Sequence, residues 1–155
     1  MKFSNFLIKL LSSCLFVGYL PFIPGTFGTI FGLVLYYFVR NSFIAQTILV
    51  LLVVSLGFLV SGRAERQLGK KDPRQIVIDE AAGILISLLF IPYSLKIAVT
   101  GFIVFRLLDA IKPYPASSSQ KFKGSLGVMS DDIIAAVYTN LVLQAVLKLI
   151  SFKSS

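Results

Sequence analysis

Charges in this chain are confined to short stretches between long apolar runs, and that distribution limits what it can fold into more than any single motif does. From Phe43 to Val60 no charged residue occurs. A helix over that run reaches about 27 Å, close to the thickness of the hydrocarbon core of a bilayer. The 155 residues are 56% hydrophobic and 14% charged, with mean hydropathy +0.86. An ordinary soluble domain carries roughly 25% charged residues. The bilayer is therefore the expected solvent, and the length fits one domain, 1–155. The net charge of +8 does not point to nucleic acid, because the basic residues sit in loops between apolar runs, where anionic lipid is the natural partner.

Read in order, the chain gives an all-α multi-pass membrane bundle of about four or five helices, preceded by an amphipathic or spanning N-terminal helix. The first segment, Phe3 to Leu20, is apolar but broken by Lys9, Ser12 and Ser13. Leu11-Ser12-Ser13-Cys14 has the look of a lipoprotein cleavage box. The apolar stretch before it is too short, so an interfacial helix is expected, with Cys14 a small core residue. Two prolines and a Gly-Thr doublet at 21–29 make a turn before the run to Val39. Gly25, Thr26, Gly28 and Thr29 offer a phosphate-binding helix start; alternatively, Gly28 and Gly32 form a GxxxG packing surface. The span Phe43 to Val60 precedes a basic loop, Gly62 to Arg74. A third helix runs from Ile76 to Ile91, a fourth from Leu95 to Ile111, and a last one from Ile133 to Ile150 ahead of a polar tail.

If the spans alternate, the turn near Pro24 and the loops at 61–78 and 112–130 share one side. That side holds Arg63, Arg66, Lys70, Lys71, Arg74, Lys112, Lys121 and Lys123, against Arg40 and Lys96 opposite. The positive-inside rule makes it cytoplasmic. All seven acids, Glu65, Asp72, Asp79, Glu80, Asp109, Asp131 and Asp132, lie on or beside it. Helix formation alone does not demand this, and a polar site at the cytoplasmic membrane face is expected.

Arg106, Asp109 and Lys112 are spaced by three and share a helix face. A carboxylate near a helix C-terminus opposes the dipole, so Asp109 needs a partner: an ion pair with Arg106 or Lys112, or a larger charged site. Asp79-Glu80 and Asp131-Asp132 read either as helix-start acids, with Ser130 as a cap, or as members of that site. Asp72-Pro73 reads first as a turn, and Lys121 and Lys123 as loop solvation or headgroup contacts. The chain has no histidine and one cysteine. Imidazole chemistry and an intrachain disulfide are excluded. Converging carboxylates then favour a hard cation such as Mg2+, with Arg106 and Lys112 placed to hold phosphoryl oxygens. Phosphate ester chemistry on a lipid follows.

Four blocks carry a resemblance: PGTFGT at 24–29, DPRQIVIDE at 72–80, FRLLDAIKPYP at 105–115 and GVMSDD at 127–132. In that order they resemble the signature blocks of the phosphatidylglycerophosphatase A family. The resemblance implies an all-helical enzyme of the bacterial inner membrane, dependent on Mg2+ and facing the cytoplasm. It would convert phosphatidylglycerophosphate to phosphatidylglycerol. It also implies that Asp79, Glu80, Asp109, Asp131 and Asp132 are the metal and catalytic carboxylates. Arg106 and Lys112 become phosphate contacts supported by Thr26 and Gly28. A small transporter or scaffold is the alternative from another class. It would place charges at mid-span or on both faces, whereas here they gather on one.

Overall fold

A computed structural model describes residues 2–119 and 122–153, and among them every regular element is helical. The elements are α1 (Lys2–Ser12), a 3-10 turn (Val17–Tyr19), α2 (Pro24–Val39), α3 (Phe43–Leu68), α4 (Ile78–Ser87), α5 (Leu95–Ile111), the short α6 (Ala116–Ser119) and α7 (Ser125–Lys153). The expected all-α architecture holds. Lys121 and the end of the polar tail lie outside the described residues.

Three boundaries differ from the sequence reading. Helix α3 continues past Val60 to Leu68, so Arg63 and Arg66 ride on a helix rather than in a loop. Ala64, Glu65, Gln67 and Leu68 are good helix formers, and what ends at Val60 is the apolar pattern, not the helix. Gly69 closes α3 with a left-handed φ of 65°. Helix α7 starts at Ser125, not Ile133, which puts Asp131 and Asp132 about two turns inside it and removes Ser130 from any capping role. Helix α4 stops at Ser87 instead of Ile91 and is only 10 residues long, about 15 Å.

Two helices, Phe43–Leu68 and Ser125–Phe152, are long and apolar enough to cross a membrane, and Pro24–Val39 is apolar but shorter. Their outward faces carry exposed large side chains such as Phe38, Ile44, Leu51 and Leu149. A lipid-facing surface has this composition, since hydrocarbon does not penalise it. Helix α1 is amphipathic and too short to span; it packs against α3, with Gln67 Nε2 donating to Asn5 Oδ1 at 3.0 Å.

The short helix α4 sits at the centre, packed by α2, α3, α5 and α7. Glycines bring its neighbours in. A Cβ on Gly28 would lie 2.6 Å from Val77 Cβ, and one on Gly32 would lie 2.7 Å from the Ala81 carbonyl oxygen. The GxxxG face of α2 thus seats against α4, the close approach that drives helix association in lipid. Irregular backbone after α4 is tolerable only if its polar groups find partners inside the protein. Asn140 Nδ2 of α7 donates to the carbonyls of Ile86, Ser87 and Leu89 at 3.2, 3.1 and 2.9 Å. Gln46 Oε1 accepts from the Phe90 N–H, and Tyr36 donates to the Ile91 carbonyl.

Contacts also fix direction. Gly28 and Gly32 meet α4 in parallel order, Gly57 and Gly62 of α3 meet Met129 and Ser125 in antiparallel order, and Gly83 meets Phe105. The N-termini of α2, α4 and α7 and the C-termini of α3 and α5 therefore gather at one end of the bundle.

Candidate active site

That end holds the acids. Asp79 and Glu80 occupy the first turn of α4, where the positive end of the helix dipole favours them. The preceding residue Val77 is anchored by donating its N–H to the Ser12 carbonyl at 3.0 Å. Asp79 Oδ1 accepts from the Glu80 N–H at 3.1 Å. From α7, Asp132 completes a group in which one carboxylate oxygen from each of Asp79, Glu80 and Asp132 lies within 4.8 Å of the others. Asp79 and Asp132 are buried, at 6% and 4% exposure. Glu80 Oε2 and Asp132 Oδ2 are buried without a hydrogen-bond partner among the described residues.

Charge arithmetic shows how unusual this is. Two carboxylates at that separation repel by about 3 kcal/mol at an effective dielectric of about 20. A buried trio of this kind persists only with protons or a cation among the oxygens. The donor set is oxygen only, which suits a hard divalent ion rather than a thiophilic one.

Cations flank the trio. Arg106 Nη1 holds Asp109 Oδ2 at 2.8 Å, one turn along α5, and Asp109 in turn lies beside Asp132. Lys112 closes α5 in the left-handed conformation, φ 49°, and its Nζ meets Asp131 Oδ2 at 2.5 Å. Desolvation alone would push the Lys112 ammonium down, but the hydrogen bond and charge of Asp131, with Asp109 and Asp132 behind, raise it above the ordinary lysine value. Lys112 stays charged.

Beside the trio opens a cleft of about 300 Å³ lined by Phe22, Ile23, Pro24, Gly25, Thr26, Arg74, Glu80 and Arg106. Gly25 is small for a reason visible here: a Cβ on it would strike Glu80 Oε1 and come within 3.4 Å of Arg106 Nη2. The start of α2 thus gives an open approach to a carboxylate and a guanidinium, and its own N-terminus faces the same space.

Of the sequence-predicted residues, the structure brings Asp79, Glu80 and Asp132 together as the metal-capable group. Asp109 and Asp131 stand next to them, each tied to a cation. Arg106 and Thr26 line the cleft. Lys112 is engaged with Asp131, and Gly28 faces Val77 instead of the cleft, so its part is packing. Arg74 lines the cleft and was missed as a site residue, although it stands inside the DPRQIVIDE block. Asn140 was missed too; a lone Asn in an apolar run was the available signal.

A family model described as phosphatidylglycerophosphatase A matches residues 10–147. The chain belongs to the phosphatidylglycerophosphatase A family. Phosphatidylglycerophosphatase A of Escherichia coli (strain K12) is 30% identical over 123 residues, covering 77% of this chain and 72% of its own. The Haemophilus influenzae protein of the same name is 31% identical, covering 79% and 78%. A Bacteroides thetaiotaomicron protein, provisionally named a phosphatidylinositol-3-phosphatase, is 32% identical, covering 92% and 95%. No solved structure gives a match. Family membership makes this chain a phosphatase, a phosphoric monoester hydrolase.

Proposed function

We propose that the chain is a Mg2+-dependent phosphatase that removes the terminal phosphate monoester of phosphatidylglycerophosphate, leaving phosphatidylglycerol, in phospholipid biosynthesis at the cytoplasmic face of a bacterial inner membrane. The observation that carries this reading is the convergence of Asp79, Glu80 and Asp132 beside the cleft that Arg106 and Thr26 line. The orphaned oxygens of Glu80 and Asp132 fit a divalent cation, since each is buried and has no other partner among the described residues. Asp79, Glu80 and Asp132 would hold the ion. When bound, Mg2+ supplies positive charge to phosphoryl oxygens and raises the acidity of water.

The chain's own groups do the rest. Arg106, fixed by Asp109, offers its remaining N–H donors to the phosphate, and Arg74 adds a second cation at the cleft. Gly25 and Thr26 let the phosphate approach the start of α2. Hydrolysis forms a bond from phosphorus to the water oxygen and breaks the bond from phosphorus to the glycerol ester oxygen. One proton must leave the water and one must reach the departing alkoxide. Glu80, which lines the cleft, would accept the first and deliver the second, with Asp109 and Asp131 keeping Arg106 and Lys112 in position. An anionic substrate dissolved in the membrane meets this site without leaving the lipid surface.

Phosphate release by purified protein tests the proposal, with phosphatidylglycerophosphate and phosphatidylinositol 3-phosphate offered in parallel, with Mg2+ and with EDTA. The expected result is release that needs Mg2+, stops in EDTA and favours phosphatidylglycerophosphate. Undiminished release in EDTA would overturn the metal assignment, and preference for the inositol lipid would overturn the substrate.

A further inference from the structure

The same end of the bundle carries a second recess that the catalytic reading does not use. It measures about 460 Å³ and lies between the C-terminal end of α3 and the N-terminal end of α7. Arg66, Lys70, Lys71 and Lys123 line it, with Glu65 and Gly124. Glu65, its one acidic lining residue, accepts the Asp72 backbone N–H through Oε1 at 3.2 Å. None of these residues lines the catalytic cleft. Arg66, Lys70 and Lys123 concentrate positive charge here, and α7 points its positive end the same way.

A further, mainly apolar recess, also about 460 Å³, is lined by Phe58 of α3, Phe122, and Ile133 and Ile134 of α7, with Pro115, Ser118, Ser119 and Ser130. The segment 122–124 contributes to both, Phe122 to the apolar recess and Lys123 and Gly124 to the basic one, on either side of the contact of Gly62 with Gly124 and Ser125. On α3, Phe58 and Glu65 fall on one face about 10 Å apart along the axis. The order along that face is apolar, then basic, as in a phospholipid from acyl chain to headgroup. Leu126, exposed on the same part of α7, extends the apolar side.

We infer that these two recesses hold one anionic phospholipid, distinct from the molecule undergoing hydrolysis. Its phosphate lies among Arg66, Lys70 and Lys123, and an acyl chain lies against Phe58, Ile133 and Ile134. The inference is read by binding and is independent of turnover, so its failure is separable from failure of the phosphatase reading. Charge complementarity favours an anionic headgroup, and the adjoining groove favours lipid over free phosphate.

The test measures lipid retained through mild detergent by native mass spectrometry, using phosphatidylglycerol, phosphatidylcholine and inorganic phosphate as probes. Wild-type protein is expected to retain phosphatidylglycerol but not phosphatidylcholine. The variant R66Q/K70Q/K123Q is expected to retain about tenfold less or lower still, since each basic residue near the lipid surface contributes several-fold. Ile134→Trp, which fills the groove, should lower retention while leaving the cations intact. Turnover of a detergent-dispersed lipid phosphate should stay at the wild-type level in these variants and reports that they fold. Lys123→Gln alone, at an exposed position, keeps the test readable if the triple variant does not insert. Equal retention in wild type and charge variants overturns the inference. So does displacement of the lipid by inorganic phosphate together with full retention in Ile134→Trp, which would make the recess a free-phosphate site.

Discussion

Asp79 and Asp132 approach from different helices, yet each is buried and each brings a carboxylate oxygen within 4.8 Å of the other. An amide in place of either keeps size and shape and removes one charge. Asp79→Asn and Asp132→Asn should therefore lower kcat by about 100-fold or more. In metal-free protein the same variants should melt at the same temperature as wild type or higher, because repulsion is relieved. Phosphate release together with thermal unfolding in EDTA checks both halves; near-wild-type turnover in both variants would falsify the site. Arg106→Ala should act differently. It removes a charge-assisted contact of about 1.5 to 3 kcal/mol, which is a rise of about 10- to 100-fold in KM if the contact is made equally in ground and transition states. The acids were legible in sequence because no helix needs five carboxylates on one side of a membrane. Arg74 was not, because it stands among other basic residues, and a cation that lines a cleft looks in sequence like one that meets solvent.

At the scale of elements, hydropathy marked where lipid begins and ends, and helices were placed by the same mark. That rule worked for α2 and α5, whose apolar and helical limits coincide. It failed for α3 and α7, where the helix runs on into polar sequence at the site end, carrying Arg66 on one and Asp131 and Asp132 on the other. It failed again for α4, which ends inside the bundle although its apolar run continues to Ile91. A tertiary partner stands in for another turn of α4: the Asn140 amide takes the Ile86 and Ser87 carbonyls, which an additional turn of helix would have occupied, and the Leu89 carbonyl beyond them. Pro92 sets a limit on the helix locally, but no local pattern encodes a stop as early as Ser87. Asn140→Leu removes that partner and leaves buried acceptors unpaired, so a loss of about 1 to 3 kcal/mol is expected. Because α4 carries Asp79 and Glu80, activity should fall with stability. Thermal unfolding in detergent, measured beside phosphate release, checks the coupling; a variant as stable and active as wild type would show that water replaces the amide.

For the whole molecule, five helix ends converge where the cations and carboxylates are, while Lys96 stands at the start of α5 at the opposite end. The bundle is thus polar along its long axis, and if it spans a membrane, the excess of basic residues at the site end predicts that this end faces the cytoplasm. A phosphatase placed that way would meet the headgroups of one leaflet only. Cysteine labelling can test this with little background, because burial, with Glu80 behind it, pushes the native Cys14 thiol up to about 12 and makes it a poor nucleophile at neutral pH. Lys70→Cys and Lys96→Cys put single accessible thiols at the two ends. In intact cells, a membrane-impermeant maleimide should label Lys96→Cys and spare Lys70→Cys; after the membrane is opened, both should label. The opposite pattern would place the carboxylate cleft on the outer face. Labelling of both before opening would mean that the long helices lie along the bilayer surface, leaving the apolar flanks of α3 and α7 without the hydrocarbon that their exposed side chains require.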